Sequence, residues 1–473
     1  MKTCLFYDIE TTGLNKSFDQ VLQFAAIRTD MQFREMERHE IRIRLRPDVV
    51  PSPYAMITHR LSIDALMEGD REVDAIGKIH QMMNTRDTIS LGYNTLGFDD
   101  EFLRFSFYRN LLPPYTHQYA SGCGRMDIFP MAILFFLYNN QVLTWPEIDG
   151  KPSLKLENIS RENHLASGQA HDAMVDVEAT LALAKRFASE KKMWDYLVAF
   201  FDKNTDKARV AKLPQSFQSE LGVHTMGLIH VGSLGHDNNY AAPVLYIGDS
   251  LPYSNQSLWL RLDLPELRTV TRDTLADDIW VFRKRFGEPG ILLPPQDRFL
   301  KKIGDARNQE IQKNMVWLKE NPVLFREIVM YHREFTYPLV PHVDIDAALY
   351  QNGFLSREDQ ALCRDFHDAP PEAKKNIVTM LKNSTTRQLG ERLLHRNYPD
   401  LASVGGHSPY DDYMSKIDTE NTSPGVIDYR GEKKLSPSEA LAQIKTIRSE
   451  QSVDDEQRRL LDALTDYIET SFS

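Results

Sequence analysis

Cysteine is scarce: Cys4, Cys123 and Cys363 are all that a chain of 473 residues contains. An odd number at such wide spacing excludes a disulfide framework and a clustered zinc site, and it fits a reducing cytoplasm. Long apolar runs are missing too. A membrane span needs roughly 18 apolar residues, and the longest candidate, Met131 to Tyr138, is far shorter and reads as a core helix. No basic segment followed by an apolar one opens the chain, so no secretory leader is expected. Positive charge is also in deficit, with 56 Lys and Arg against 67 Asp and Glu and a net charge of −11. That argues against a protein coated for non-specific phosphate binding and confines any such contact to local patches. Repeats and heptads are absent, and the length suggests two to four domains with sizeable cores.

Three acidic motifs are present. In Leu5-Phe6-Tyr7-Asp8-Ile9-Glu10-Thr11-Thr12-Gly13 an apolar strand runs into two acids at i, i+2, which places both carboxylates on one face. Burying like charges there is costly unless a cation compensates. The second motif is Gly92-Tyr93-Asn94-Thr95-Leu96-Gly97-Phe98-Asp99, following the strand-like Thr88 to Leu91 and preceding a helix over 100–110. Asp99 thus stands at a helix start. The third, His171-Asp172-Ala173-Met174-Val175-Asp176, opens another helix, with His171 before it or in its first turn. There the helix dipole disfavours imidazolium and keeps the ring in the form a general base needs. Taken singly, each motif has an ordinary reading: a solvated strand end, an N-cap, a surface histidine beside a helix carboxylate.

Taken together, the spacing D-x-E, N-x-x-x-F-D and H-x-x-x-x-D resembles the DEDD superfamily of 3′-to-5′ exonucleases, in its histidine-type branch. The resemblance implies that Asp8, Glu10, Asp99 and Asp176 hold two Mg²⁺ ions, with Mn²⁺ as a substitute, and that His171 activates the attacking water. The chemistry suits these residue types. Oxygen ligands select Mg²⁺ or Mn²⁺ over zinc, and two such ions about 3.5 to 4 Å apart stabilise the attacking and leaving oxygens of an in-line displacement.

Further stretches, Gln23 to Asp30, Phe107 to Asn110, Ser153-Leu154-Lys155-Leu156-Glu157, Val343-Asp344 and Leu349-Tyr350-Gln351-Asn352-Gly353-Phe354, resemble bacterial exodeoxyribonuclease I over nearly the full length. That resemblance implies an α/β, ribonuclease-H-like exonuclease domain over 1–190, a small SH3-like β-barrel domain over 191–345 and a C-terminal helical domain over 346–473. It implies a processive, monomeric, cytoplasmic enzyme of DNA repair that degrades single-stranded DNA to 5′-mononucleotides. It also implies recognition of the acidic C-terminal tail of single-stranded-DNA-binding protein. Glu10 and Lys155 are the expected substrate contacts; at Lys155 a lysine keeps the charge of the family's arginine but loses its bidentate fork. Two other classes stay open on the motifs: an exonuclease acting on RNA 3′ ends or in proofreading, and a noncatalytic DNA-binding scaffold.

Along the chain, strand-like and helix-like stretches alternate to about residue 190. A polar, lysine-rich stretch from Lys191 to Lys212 reads as a connection, and Thr225 to Gly248 and Ser257 to Asp263 read as short strands. Residues 371–382, 387–394, 437–450 and 456–472 carry helical periodicity. Between them Ser403 to Lys434, rich in Gly, Ser, Asp and Pro, reads as a long loop. Candidate basic patches are Lys151 with Lys155, Arg283-Lys284-Arg285, and Arg298, Lys301, Lys302 and Arg307, the last expected to receive the partner tail. Trp145 is the candidate stacking platform, whereas Phe102, Phe105, Phe107 and Tyr108 recur at helical spacing and read as core.

Overall fold

The apolar run that opens the chain forms β1 (Thr3–Thr11), followed by β2 (Val21–Thr29) and β3 (Glu35–Arg42) in an antiparallel meander, with β4 (Thr88–Gly92) and β5 (Gly124–Asp127) completing a mixed sheet of order β3-β2-β1-β4-β5. The computed structural model describes residues 1–168, 171–402, 408–418, 425–450 and 452–472. Every residue of β2 is buried, as a central strand's near-continuous apolar sequence requires. Edge strand β3, EMERHEIR, is mostly exposed and charged, which blunts further strand pairing. Helices Glu72–Met83 and Asp99–Arg109 cover one face, packing Ile76, Ile79, Met83, Phe102 and Phe107 on Leu5, Tyr7, Ile9 and Phe24. The four aromatics of the second helix fall as their spacing predicts: Phe102, Phe105 and Phe107 are buried, and Tyr108 is packed at a core margin.

Backbone contacts divide the chain into two compact units. The first comprises Met1–Arg125, Ser167–Glu178 and Leu339–Ser473; the second comprises Met126–Ala166 and Ala179–Pro338. Within the first, the C-terminal helices Pro437–Glu450 and Asp455–Ser471 share a core with helices Pro53–His59 and Ile63–Met67 through Ile444, Ile447, Leu461 and Leu464 on Met56, Ile57 and Leu66. A buried ionic network sits in the same unit. Arg396 bridges Asp48 at 2.8 Å and Asp346 at 2.5 Å, Arg392 holds Asp344 at 2.6 Å, and Arg46 reaches Asp48 and Glu72 at 3.3 Å each.

The second unit contains the uniformly apolar helix Ile128–Tyr138, the hairpin of β6 (Glu147–Ile148) and β7 (Lys151–Pro152), and an antiparallel six-stranded sheet. Its strands are β8 (Gln215–Ser219), β9 (Gly222–His230), β10 (Ala241–Asp249), β11 (Gln256–Arg261), β12 (Val281–Arg285) and β13 (Ile291–Leu293). Long β9 pairs with β8 through Thr225 and with β10 and β13 at its far end, around a core of Ile229, Val244, Trp259 and Leu292.

Two expectations need correction. The lysine-rich connection from Lys191 folds as helices Lys191–Val198 and Lys203–Val210, because its few apolar residues, Leu197, Phe200 and Val210, are spaced to bury one side beneath a charged face. Within the expected loop Ser403 to Lys434 lies helix Pro409–Asp418, which buries Tyr413 and Ile417. Residues 403–407 and 419–424 of that stretch lie outside the described residues.

Candidate active site

Parallel pairing between β1 and β4 runs from Thr3↔Thr88 to Phe6↔Leu91 and stops there, while β1 stays paired with β2 out to Thr11. Asp8, Ile9 and Glu10 therefore project beyond the end of β4, at the carboxyl ends of the strands where α/β sheets place their ligand crevices. The Asp99 carboxylate takes the place of the missing strand, its Oδ1 accepting from the Ile9 N–H at 3.2 Å. A ladder donor between the two acids of β1 is thus satisfied by a third acid.

Gly92 makes this approach possible. A Cβ there would stand 2.5 Å from the Tyr7 carbonyl oxygen and 2.2 Å from Thr95 Cγ2. Asn94 then turns the chain with φ 64°, a left-handed conformation that asparagine tolerates better than most residues. On the other side of β1 the turn from Thr11 to Asp19 is held by its own polar groups. Thr12 Oγ1 donates to Asp19 Oδ1 at 2.9 Å, Asn15 N donates to Asp19 Oδ2 at 2.8 Å, and buried Arg109 donates to the carbonyls of Ser17 and Asp19.

The third segment arrives as helix Ala173–Ser189. His171 precedes it with φ 63°, a left-handed conformation uncommon for a residue with a Cβ. Asp172 caps the helix, its Oδ1 accepting from Met174 N at 3.0 Å and Val175 N at 3.4 Å. One ligand atom from each of Glu10, His171 and Asp176 lies within 4.8 Å of the others.

Electrostatics join the remaining acids to this group. Asp8 is held well above the usual carboxylate range by withdrawal from water and then by Asp99, Glu10, Asp176 and Asp172. Glu10 is pushed up to about 9 by burial, then by Asp176, Asp99 and Asp172. A cluster that resists ionisation for want of a counter-charge, built of hard oxygen donors on two strand positions and two helix starts, fits a divalent cation.

All five residues picked out from the sequence, Asp8, Glu10, Asp99, His171 and Asp176, thus converge. Lys155 belongs to the second compact unit, where its exposed side chain faces Glu157 at 3.7 Å. Trp145 is partly buried, donating to the Asn140 carbonyl and packing edge-on to Phe136, which suits a small core more than a platform. Lys284 is fully buried on Asp206 at 2.8 Å, so the Arg283-Lys284-Arg285 run offers alternate residues rather than a continuous patch. Arg307 is likewise spent on Asp263 at 2.5 Å and on the carbonyls of Asn238 and Ala241.

Two further residues neighbour the site without having been expected there from the sequence. Asp172 adds its negative field to Asp8 and Glu10, a role its position beside His171 could have signalled. His59, at the end of helix Pro53–His59, is pushed down to about 4 by burial and then by His171; only the fold brings these imidazoles together.

Comparison with known proteins covers both ends of the chain. A model of an exonuclease family matches residues 5–184, and a model of the exonuclease I C-terminal domain matches 343–471. Exodeoxyribonuclease I of Escherichia coli K12 is 27% identical over 451 residues, spanning 90% of this chain and 92% of that protein. The Haemophilus influenzae exodeoxyribonuclease I is 29% identical over 295 residues, 61% of this chain and 60% of that one. Among solved structures, E. coli exonuclease I in complex with a dA16 oligonucleotide superimposes with TM-score 0.82 at 23% identity, covering 100% of both chains. A structure of SSB/exonuclease I in complex with the inhibitor CFAM does so with TM-score 0.81 at 22% identity, again over 100% of both. These likenesses establish the mixed α/β exonuclease domain with a helical C-terminal region.

Proposed function

The chain belongs to the bacterial exonuclease I family, and we propose that its carboxylate cluster hydrolyses the 3′-terminal phosphodiester of single-stranded DNA. It is a 3′-to-5′ exodeoxyribonuclease, and the product of each cycle is a 5′-mononucleotide and a strand with a new 3′-hydroxyl. The observation that carries the reading is the meeting of Asp8, Glu10, Asp99 and Asp176 with His171 at the end of β1. Relatives named exodeoxyribonuclease I support DNA as the substrate. We assign the chemistry to residues 1–190, with an SH3-like middle domain over 191–345 and a helical domain over 346–473; the family matches at 5–184 and 343–471 support the outer two.

The exonuclease family depends on divalent metal. We assign Mg²⁺ to Asp8, Glu10, Asp99 and Asp176, with Mn²⁺ able to replace it; when bound it supplies Lewis acidity at the scissile phosphate and lowers the pKa of water. The chain's own residues do the rest. His171, beside Glu10 and Asp176, accepts a proton from the attacking water at a ring nitrogen, a step worth about 10² to 10⁴ in rate. Asp99, through its bond from the Ile9 N–H, fixes the two β1 acids relative to the helix. Lys155 contributes a phosphate contact as a point charge.

Digestion of single-stranded DNA labelled at either end, with and without Mg²⁺, tests the assignment. A 3′ label released first as mononucleotide, dependent on Mg²⁺ and absent with matched RNA, is the expected result; release from RNA at equal rate would move the enzyme to the RNA-processing branch of the superfamily. The solved SSB/exonuclease I complex supports single-stranded-DNA-binding protein as a partner, and we propose that its acidic C-terminal tail is the part recognised. We infer a monomer, and we place it in the cytoplasm, a compartment that suits three free, buried cysteines. Among the described residues no helix is long and apolar enough to cross a membrane.

A further inference from the structure

Asp100, next to Asp99 in the chain, is fully buried and accepts from three side chains. His117 Nε2 reaches its Oδ1 at 2.8 Å, while Arg125 Nη1 and Arg104 Nη2 reach its Oδ2 at 2.7 and 2.5 Å. Its backbone N–H donates to the Thr95 carbonyl at 2.9 Å. Burial opposes its charge, yet Arg125 and Arg104, with the His117 hydrogen bond, hold the carboxyl well below its usual range. His117, fully buried, is held below its ordinary value mainly by burial, so it donates as a neutral ring.

The partners come from three separate segments. Arg104 lies on the Asp99–Arg109 helix itself, His117 on a short turn, and Arg125 on β5, next to β4 in the sheet. Asp100's oxygens are occupied by these donors, so it has little left to offer a cation. Its effect falls on geometry. Because Asp99 and Asp100 share the first helical turn, a clamp on one carboxylate fixes the backbone that aims the other at β1.

We propose that Asp100, with Arg125, Arg104 and His117, is a positioning anchor for Asp99 that sets the affinity of the site for its divalent cations. The inference rests on the metal-site reading above. Groups behind metal ligands typically contribute about 10- to 100-fold to metal affinity or activity, and this anchor spends two guanidiniums and an imidazole on a residue that is not itself one of the assigned ligands.

The test is calorimetric titration of the full chain, without DNA, with Mn²⁺. Wild type, Asp100→Asn, the milder Arg125→Lys and the ligand variant Asp8→Ala are compared, with kcat on single-stranded DNA measured at saturating Mn²⁺. Expected are a Kd for Mn²⁺ raised about 10-fold or more in Asp100→Asn and by less in Arg125→Lys, with kcat at saturation recovering to within about three-fold of wild type. A merely structural role would lower the melting temperature and the active fraction while leaving the Kd unmoved in both variants, and that result overturns the proposal. Should Asp100→Asn fail to fold, Arg125→Lys decides alone by the same criterion. Wild type that binds no Mn²⁺, or Asp8→Ala that binds as wild type, would instead overturn the metal-site reading.

Discussion

At the scale of single residues, the site is a set of carboxylates that would rather be protonated than stand together uncompensated. Asp8→Ala or Asp176→Ala should abolish hydrolysis and leave the fold intact, since removing one like charge from a metal-free cluster relieves repulsion. Near-normal turnover in either variant would end the two-metal assignment. If the ring acts on water as proposed, His171→Ala should lower kcat by about 10² or more while DNA affinity stays nearly unchanged; equal losses in a binding titration would make it a substrate-positioning residue. A pH dependence follows from Glu10. In the folded, metal-free chain its carboxyl, pushed up to about 9, keeps a proton that the unfolded chain releases near the ordinary 4.5. The folded state then binds more protons than the unfolded one, so this contribution to stability falls as pH rises from about 4.5 toward 9. On the proposed assignment, a bound divalent cation would replace that proton. Added Mg²⁺ should therefore raise the melting temperature more at about pH 8.5 than at about pH 5.5, and Glu10→Gln should flatten the difference. Equal shifts at both pH values in the wild type would refute the coupling.

At the scale of elements, the site depends on how closely the end of β4 approaches β1. Gly92→Ala places a methyl 2.5 Å from the Tyr7 carbonyl oxygen and 2.2 Å from Thr95 Cγ2, so β4 must draw back and carry the Asn94–Asp99 turn with it. Overpacking of this kind costs about 1 to 3 kcal/mol, and because Asp99 moves with the turn, activity should fall by about 10-fold or more. Denaturant unfolding and steady-state kinetics on one sample check both; an unchanged kcat would show that the turn sets the site's position without β4. The same elements explain what could be read in advance. Carboxylates at i, i+2 after an apolar run, and an asparagine and glycine closing the next strand, are local signals, so β1, β4 and the helix from Asp99 were legible. The clamp on Asp100 was not, because His117 and Arg125 stand 17 and 25 residues away and only the fold brings them in. Nor were the helices in 191–210 and at Pro409–Asp418. Their polar composition resembles a loop until one sees which few side chains, Leu197, Phe200, Tyr413 and Ile417, are buried.

At the scale of the whole molecule, a net charge of −11 has to coexist with a polyanionic substrate. Much of the basic complement is committed internally: Arg46, Arg392 and Arg396 to Asp48, Asp344 and Asp346, Lys284 to Asp206, and Arg307 to Asp263. Apart from Arg46 with Asp48, these pairings could not be read from sequence, because the partners lie tens to hundreds of residues apart, and they remove Arg307 from the surface expected to meet an acidic tail. What remains there is Arg298, stacked 4.4 Å over Phe299, and exposed Lys301 and Lys302. Beside them is an open depression of about 630 Å³ whose lining includes apolar Met226, Pro295, Leu300 and Ile311 together with charged Lys301, Asp297 and Asp305. An apolar tail end would enter the depression while its carboxylates meet the lysines, and the two aspartates would oppose it. Lys301→Glu with Lys302→Glu should therefore weaken a labelled tail peptide by about 10-fold or more and flatten the salt dependence of its binding, with hydrolysis of short naked DNA surviving. Asp297→Asn with Asp305→Asn should act in the opposite sense, tightening the peptide, since it removes repulsion without creating a contact. Fluorescence titration of wild type and the two double variants decides the matter: unchanged affinity in the lysine variant moves the partner to another surface, and lost hydrolysis of naked DNA makes these lysines part of the substrate path.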